Sequence, residues 1–465
     1  MSGFDPSSRT SIISYAQKLV GQTLRQACED SFQEQGYRGK GNFGQTLEKF
    51  YFGYEPNSNP EPDFKDAQME LKSSPLKTLK KGEIRAKERI VLNIINYQEV
   101  HKENFATSTF LKKNEHLLLV FYLYSRETNF LDYLIKFVDG WEYPDGDLDI
   151  IRRDWELIND KIKQGKAHEL SEGDTYYLGA CTKGSTALKS LRKQPFNTEL
   201  AKQRAYSLKQ GYVNHIIATL AGNETGAYGK LITEPQGSSQ TIEQIVQAKF
   251  KPFYGLTIDR IISSLNVRLN KKAKSFFADL TKVILGIQTH QKIEEFEKAD
   301  IQIKTVRLDE NGRPAEHISF PAFEYRNLVG TDWEDSDFLN ILESKFFFVF
   351  YQYQKGELVL KKVKFWNMPQ ADILEAKQVW YQMVKVVKAG TIVKELKKTR
   401  DGKIIRRTHF PKQIENRVSH VRPHATSNAD TYELPVKDKI TGVTNYTKHS
   451  FWLNREYIKN EVYLK

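Results

Sequence analysis

The chain has 465 residues, 39% of them hydrophobic, and a formal net charge of +12. This length supports two or three domains of ordinary size, each with its own core. Two cysteines, Cys28 and Cys181, are too few for a disulfide framework, so a reducing compartment is expected. The N-terminus has no apolar signal region and no apolar run approaches the length of a membrane span, which predicts an intracellular protein without a membrane partner.

The positive charge is unevenly distributed along the chain. Residues 1–232 hold 32 Lys and Arg against 30 Asp and Glu, whereas residues 233–465 hold 38 against 28. A basic excess favours a polyanionic partner such as nucleic acid. The same excess is compatible with a requirement for solubility alone, so composition leaves both interpretations open.

Helical and strand patterns alternate along the first half, which predicts the α/β class. A polar stretch with Pro, Gly and Ser at residues 233–240 predicts a linker. The predicted elements are a helix at about 10–34, a second helix through residue 48, strands at 68–73, 88–97 and 116–124, and a helix at 149–164 that ends at Gly165.

Landmarks of the first half recur in the second half. Trp141, Pro144, Trp155 and Gly165 are each matched 225 positions later, by Trp366, Pro369, Trp380 and Gly390. The apolar runs at 117–124 and 346–353 predict one buried central strand in each half. Self-similarity at so long a period indicates a tandem duplication, with domains at 1–232 and 233–465, rather than a solenoid.

The second half also contains an insertion at residues 394–412. Its Asp401-Gly402 pair, flanked by Arg400 and Lys403, is typical of a hairpin turn. The insertion is therefore predicted to form a positively charged arm.

Asp63, Glu70 and Lys72 have the spacing of a metal-dependent nuclease site. Alternate residues of a strand point to one face, so Glu70 and Lys72 are expected side by side, with Leu71 directed into the core. Two carboxylates and the Leu71 carbonyl would hold Mg²⁺ for phosphodiester hydrolysis, and Lys72 would orient the water or neutralise charge. By itself the pattern is weak, because an exposed charged face of an edge strand would look the same.

A longer resemblance strengthens the nuclease interpretation. The segments GNFGQTLEKFYFG, PDFKDAQMELK, TFLKKNEHLLLVFY, DWELINDKIKQG and TYYLGACTKG resemble the MutH-like endonucleases, and the duplicated layout resembles their Sau-type restriction enzymes. The resemblance implies two tandem restriction-endonuclease-like domains of the PD-(D/E)xK type and a prokaryotic cytoplasmic enzyme. It adds Glu48 and Lys112 to the catalytic set, and whether Lys112 or Lys113 serves is left open.

The copy of this motif in the second half lacks most of these groups. Glu48 is matched by Thr281, Asp63 by Glu295 and Glu70 by Gln302, and only Lys304 is retained. Replacing a carboxylate by an amide removes a charge on which a hard cation depends. The second domain is therefore expected to be catalytically degenerate.

The resemblance also implies residues that contact DNA bases. In the first domain they are Lys183 and Tyr206, and in the second Arg422, His424 and Trp452. Arg and Lys can donate to guanine O6 and N7 in the major groove. A domain that retains such residues without metal ligands is expected to bind a second copy of the site as an effector.

The residues and the resemblance together predict a type II restriction endonuclease that cuts double-stranded DNA with Mg²⁺, and the resemblance implies 5′-GATC as its site. One active site per chain implies that two chains associate on DNA, and a cognate methyltransferase would act on the same site without having to bind the enzyme. Two alternatives remain at this stage: a mismatch-repair-like nickase that needs a partner, and a non-catalytic GATC-binding regulator.

Overall fold

The computed structural model describes residues 3–34, 42–57, 59–79, 82–183, 190–222, 226–232, 240–398, 402 and 404–465. The predicted linker at 233–240 falls almost entirely outside these ranges, as do Arg400, Asp401 and Lys403. Contacts divide the chain into two units. Unit 1 comprises Met1–Ile242 and Ile287–Ile301, and unit 2 comprises Glu243–Gly286 and Gln302–Lys465.

Helices and strands alternate in both units, which confirms the α/β class. The α-helices are α1 (Arg9–Gln17), α2 (Leu24–Ala27), α3 (Glu29–Glu34), α4 (Phe43–Thr46), α5 (Tyr97–Val100), α6 (Thr109–Asn114), α7 (Asp145–Lys163), α8 (Gln210–Leu220), α9 (Ile242–Phe250), α10 (Ile258–Ser264), α11 (Phe276–Ile284), α12 (Glu294–Lys298), α13 (Tyr325–Gly330), α14 (Asp337–Leu342), α15 (Gln370–Lys388) and α16 (Arg455–Tyr457). The strands are β1 (Glu70–Thr78), β2 (Ile84–Ala86), β3 (Ile90–Ile94), β4 (His116–Leu123), β5 (Ile135–Glu142), β6 (Leu178–Thr182), β7 (Leu191–Gln194), β8 (Asn197–Lys202), β9 (Arg204–Leu208), β10 (Tyr228–Gly229), β11 (Lys292–Ile293), β12 (Gln302–Leu308), β13 (Ile318–Phe323), β14 (Phe346–Gln354), β15 (Glu357–Trp366), β16 (Val393–Lys398), β17 (Ile404–Thr408), β18 (Ser419–Pro423), β19 (Thr431–Glu433), β20 (Asn445–Thr447) and β21 (His449–Leu453).

Unit 1 is built on a sheet with the strand order β2-β1-β4-β5 and a second sheet with the order β3-β9-β6. Strands β1 and β4 run parallel, with Glu70 opposite Leu117, and β5 is antiparallel to β4. Strand β4 lies between β1 and β5, and its residues Leu117, Leu118, Leu119, Val120 and Phe121 are buried, which confirms the predicted central strand. The predicted helix at 10–34 is instead three helices, because the chain turns at Gly21 with a positive φ of 82°.

Unit 2 repeats this plan with the strand orders β12-β14-β15 and β13-β21-β18. Strand β14 is the central strand, parallel to β12 and antiparallel to β15, and Gln302 lies opposite Phe346. Its core contains a large share of aromatic rings from β14, α15 and β21. The two central sheets therefore have the same strand directions and the same starting register.

The longest helices show the duplication most clearly. Helices α7 and α15 each span 19 residues, each begins after a proline, and each is followed by a glycine with positive φ. A Cβ on Gly165 would lie 2.9 Å from a carbonyl oxygen, and a Cβ on Gly390 would lie 2.7 Å from another. Both positions therefore require glycine for space as well as for conformation.

The contact division differs from a single boundary at 232/233, because residues 287–301 pack with unit 1. Lys298 is buried there, with its ammonium 2.9 Å from Asp147 and 2.8 Å from Glu294. The N–H of Gly211 donates to Oδ2 of Asp300 at 2.8 Å. The segment that matches the Asp63 turn thus belongs to the fold of the first unit. No helix in the described ranges is both long and apolar enough to cross a membrane.

Candidate active site

A tight turn brings the first carboxylate of the predicted site beside the second. The backbone groups of Phe64 and Met69 form two mutual hydrogen bonds, at 3.0 and 3.2 Å. Gln68 closes the turn with a left-handed φ of 50°. The chain leaves this turn directly into β1, and the N–H of Asp63 donates to Oε2 of Glu70 at 3.1 Å. Local backbone geometry therefore fixes the separation of the two acids.

Strand β1 places the remaining motif residues as alternation predicts. The N–H of Leu71 donates to Oδ2 of Asp63 at 3.0 Å, and the Leu71 side chain is buried in the core. Lys72 donates to Oε1 of Glu70 at 2.7 Å and to the carbonyl oxygen of Leu92 at 3.1 Å. Glu70 is itself buried, so these contacts hold its carboxylate in one orientation. The three motif side chains form one cluster.

Glu48 joins this cluster from a different element. It lies in a single π-helical turn, Leu47–Tyr51, that continues α4, and such turns are frequent at functional sites. Burial raises the pKa of Glu48, the ammonium of Lys72 lowers it, and the carboxylate of Glu70 raises it further. The carboxylate therefore shares the electrostatic environment of the motif residues. The structure brings Glu48, Asp63, Glu70 and Lys72 together.

The open choice between the two adjacent lysines of α6 has a structural answer. Lys113 extends to the cluster, where its Nζ lies 3.6 Å from Oε1 of Glu70. It also donates to the carbonyl oxygens of Asn59 and Glu61, at 2.6 and 3.2 Å. Lys112 is exposed instead. Of the two candidates, the structure places Lys113 and not Lys112 beside Glu70, because the two side chains point about 100° apart around the helix.

The sequence reasoning missed Tyr54. Its hydroxyl is buried without a hydrogen-bond partner among the described residues. Burial raises the pKa of Tyr54, and the carboxylates of Asp63 and Glu48 raise it further. A phenol close to several carboxylates is a hydrogen-bond donor without a fixed acceptor. No spacing rule points to this residue, because it follows the Glu48 turn through an irregular loop.

The electrostatics of the cluster favour an added cation. Burial and the neighbouring Glu70 carboxylate raise the pKa of Asp63 to about 7, although the N–H of Leu71 and the charge of Lys72 lower it. A carboxyl group whose charge is disfavoured by a second carboxylate is stabilised when a positive ion is bound between them. The site therefore has more negative charge than its two lysines compensate.

The donor set is compatible with a hard divalent ion. Asp63 and Glu70 offer carboxylate oxygens, and Mg²⁺ in proteins is commonly held by one or two carboxylates and several waters. The Leu71 contact recorded at the site is made by its N–H, so its predicted carbonyl role remains a prediction. Across the described ranges, no three His, Cys, Asp or Glu side chains form a metal-binding cluster. Water ligands would have to complete the coordination.

The counterpart of the Asp63 carboxylate in the second copy has a structural role. Both carboxylate oxygens of Glu295 accept the N–H of Leu231, at 2.9 and 3.0 Å, and Oε1 accepts the N–H of Ile232 at 2.9 Å. The Glu295 carboxylate therefore holds the backbone of Leu231 and Ile232 within unit 1. Thr281, the counterpart of Glu48, is buried within α11.

The counterparts of Glu70 and Lys72 lie on β12. Gln302 begins β12, and Lys304 lies with its ammonium 5.5 Å from the ring centre of Phe320. Burial lowers the pKa of Lys304, and no ion pair of this lysine is found among the described residues. Lys304 therefore lies beside an aromatic ring, whereas Lys72 lies beside the Glu70 carboxylate.

The predicted DNA contacts in unit 1 have different fates. Lys183 is half-buried at the end of β6, and its N–H donates to the carbonyl of Gln203 at 2.8 Å. Tyr206, on the central strand β9, is only 2% exposed and packs against Phe110, with ring centres 5.0 Å apart. The structure therefore places the Tyr206 ring in the core and not at the surface, and its predicted contact with bases stays a prediction.

The predicted contacts in unit 2 lie together. Strands β18 and β21 are paired, and the guanidinium carbon of Arg422 lies 5.5 Å from the ring centre of Trp452. The His424 ring is 5.7 Å from the same indole. Its Nδ1 is 3.1 Å from the carbonyl oxygen of Phe320 and 2.9 Å from the hydroxyl of Ser450. Arg422 and His424 are exposed beside this half-exposed aromatic ring.

Comparison with known proteins agrees with the duplicated site. The family model of the DNA mismatch repair enzyme MutH matches the chain twice, at residues 52–154 and 285–377. The type II restriction enzyme Sau3AI of Staphylococcus aureus is 37% identical over 459 residues, which covers 91% of this chain and 93% of that enzyme. The first match contains Asp63, Glu70, Lys72 and Lys113, and the second contains Glu295, Gln302 and Lys304 at positions that match the first three. The chain therefore belongs to the MutH-like, Sau-type family of type II restriction enzymes, which are site-specific deoxyribonucleases.

Proposed function

We propose that this restriction endonuclease cuts both strands of DNA at 5′-GATC in a Mg²⁺-dependent reaction, with the catalytic site in unit 1. The observation that carries the proposal is the single cluster of Glu48, Asp63, Glu70, Lys72 and Lys113. The 5′-GATC specificity follows from the resemblance to the Sau-type enzymes. Cleavage is expected to leave a 5′-phosphate and a 3′-hydroxyl.

The chain's own residues supply charge and orientation at the scissile phosphate. Asp63 and Glu70 would hold the divalent ion, which when bound activates water and stabilises the charge of the phosphorane. Lys72 is held by Glu70 and the Leu92 carbonyl, so its ammonium is preorganised beside the reacting group. Lys113 adds a second fixed cation on the same carboxylate.

Unit 2 is proposed to be catalytically degenerate and to bind a second GATC site as an effector. The commitment of Glu295 to backbone N–H groups and the aromatic environment of Lys304 support the loss of chemistry. The cluster of Arg422, His424 and Trp452 supports retention of DNA binding. Since one catalytic site per chain cuts one strand at a time, two chains are expected to associate transiently on DNA.

Digestion of unmethylated plasmids tests this function. Wild-type protein with Mg²⁺ should linearise a plasmid with one GATC site slowly and a plasmid with two sites faster, with fragment ends at GATC. The Glu70→Gln variant should lose at least roughly 100-fold in rate, because an amide provides neither the ligand charge nor the Lys72 ion pair. The matched variant Gln302→Ala, altered at the counterpart of Glu70, should cut at the wild-type rate.

Three outcomes would contradict the proposal in different ways. Accumulation of nicked circles without linear product would indicate a nickase that needs a partner. Binding of GATC duplexes without cleavage would indicate a regulator. A Glu70→Gln variant that cuts at full rate would show that the chemistry lies elsewhere.

A further inference from the structure

Unit 2 has a two-stranded hairpin after its long helix, at a position where unit 1 has no strand. Strands β16 and β17 follow helix α15, whereas in unit 1 the chain between α7 and β6, all of it described, contains no strand. The hairpin is anchored at its base, where Val393 is buried and its N–H donates to Oδ2 of Asp438 at 2.8 Å. Beyond Val393, the described residues of β16 are exposed, as are all residues of β17 except the half-buried Thr408.

The hairpin is strongly basic. Its described strands carry five cationic side chains against the single carboxylate of Glu395: Lys394, Lys397, Lys398, Arg406 and Arg407. Arg407 pairs with Glu395 at 2.9 Å, and the guanidinium of Arg406 lies 5.8 Å from the ring centre of Tyr446. The three lysines make no ion pair with any described residue, so their charge is available to a partner.

Three aliphatic side chains on the same strands as these cations are unusually exposed. Leu396 is 49% exposed, Ile404 68% and Ile405 45%. Cross-strand pairing places Lys398 opposite Ile404 and Lys397 opposite Ile405. Each face of the hairpin therefore combines a lysine with a branched aliphatic group, which is not expected of a surface selected only for solubility.

We propose that this hairpin is a DNA-binding arm, which lies in a groove of the duplex bound by unit 2. A two-stranded antiparallel ribbon fits a DNA groove in width. Lys394, Lys397 and Lys398 contact phosphates, and Leu396 and Ile404 pack against sugars and base edges. The inference rests on the proposed function, because it takes the DNA of the effector site as the ligand.

Charge complementarity selects DNA over a second copy of this chain. Two copies of the hairpin would oppose like charges, which costs free energy at every lysine pair. Duplex DNA offers one negative charge about every 1.7 Å along its axis, so neighbouring lysines of a ribbon find neighbouring phosphates. Apolar groups on such a ribbon gain burial from the sugars and bases that line a groove.

The salt dependence of binding tests the lysine contacts. Binding of a catalytically inactive Glu70→Gln chain to a 5′-GATC duplex is measured by fluorescence anisotropy between 50 and 300 mM salt, over which the Debye length falls from about 14 Å to about 6 Å. The slope of log K against log salt is negative. In this background, the triple variant Lys394→Gln, Lys397→Gln and Lys398→Gln should reduce the magnitude of this slope by about 2 to 3. A matched triple at exposed lysines of unit 2, Lys272→Gln, Lys274→Gln and Lys385→Gln, should leave the slope unchanged.

The aliphatic contact is tested separately. Ile404→Ser should weaken binding by about tenfold with the slope unchanged, because an apolar contact releases no counterion. Thermal unfolding of all variants should match that of the parent chain, since the altered side chains are exposed. An unchanged slope in the hairpin triple, or an equal decrease in the control triple, would overturn the inference.

The same titration distinguishes failure of the inference from failure of the proposed function. If the parent chain binds GATC duplexes and the hairpin variants bind identically, only the arm is excluded. If the parent chain does not bind GATC duplexes at all, the proposed function itself is wrong. Self-association of the chain that is lost in the hairpin triple would indicate that the arm contacts another copy, and would also overturn the inference.

Discussion

Lys112 and Lys113 are neighbours in sequence but have opposite environments. Lys113 contacts Glu70 and two loop carbonyls, whereas Lys112 is exposed. Lys113→Ala is expected to slow cleavage at least roughly 100-fold, because a fixed cation beside the phosphate is lost. Lys112→Ala should retain the wild-type rate within about twofold. Single-turnover cleavage of a GATC duplex measures both, and equal rates for the two variants would contradict the assignment.

The hydroxyl of Tyr54 is expected to contribute to the rate of cleavage without stabilising the fold. Its buried hydroxyl has no partner among the described residues, so Tyr54→Phe should leave the free energy of unfolding unchanged or raise it by about 1 kcal/mol. The same substitution should slow single-turnover cleavage about tenfold, with little change in DNA affinity, because the donor near Asp63 and Glu48 is lost. Urea denaturation and cleavage rates on one preparation test both parts. A variant that is destabilised and fully active would refute this role.

Sequence patterns predicted where the candidate site residues on strands and short turns would lie. They did not predict the residues whose positions depend on a loop or on the rotation of a helix. Glu70 and Lys72 follow from strand alternation, and Asp63 from a short turn. Choosing Lys113 required the rotation of a helix, which boundaries uncertain by one residue cannot give. The burial of Tyr206 was not predicted, because a strand aromatic has the same sequence context whether it lies in the core or on the surface.

At the scale of elements, helix α12 belongs energetically to unit 1. Lys298 is 4% exposed and pairs with Asp147 and Glu294. Lys298→Met should lower the free energy of unfolding by about 3 to 5 kcal/mol, because it leaves two buried carboxylates without their cation. Lys292→Met, which removes an exposed pair with Glu297, should cost less than about 1 kcal/mol. Urea denaturation monitored by tryptophan fluorescence compares the two.

Sequence patterns predicted the elements that occur in both halves of the chain. The helix predicted at 149–164 is the long helix α7, and its copy α15 has the same length. The predicted hairpin in the insertion is also confirmed as β16 and β17. The packing of residues 287–301 with unit 1 was not predicted. It depends on which surface the segment packs against and not on its sequence pattern.

At the scale of the whole molecule, the first half is expected to be incomplete alone. A fragment of residues 1–232 lacks the carboxylate that accepts the N–H groups of Leu231 and Ile232, and the ammonium that pairs with Asp147. Expressed alone, the fragment should be insoluble or should unfold at a temperature well below that of the full chain. Co-expression with residues 240–465 should restore a soluble complex that cuts DNA.

The control for this complementation is a second half carrying Glu295→Ala and Lys298→Met. It should fail to rescue the fragment, because the contacts that join it to the first half are removed. A fragment of residues 1–232 that is stable and active by itself would contradict the contact division. Co-purification on a single affinity tag and plasmid cleavage provide the readouts.

The commitment of Glu295 to two backbone amides also limits how the second copy could change over generations. Restoring an acid at Gln302 would rebuild one metal ligand, but its partner is already used to secure unit 1. A lineage would need to release that carboxylate and tolerate the loss of folding before any new chemistry appeared. Use of the Glu295 carboxylate to hold the backbone of unit 1 would therefore oppose the appearance of a second cutting centre in this half of the chain.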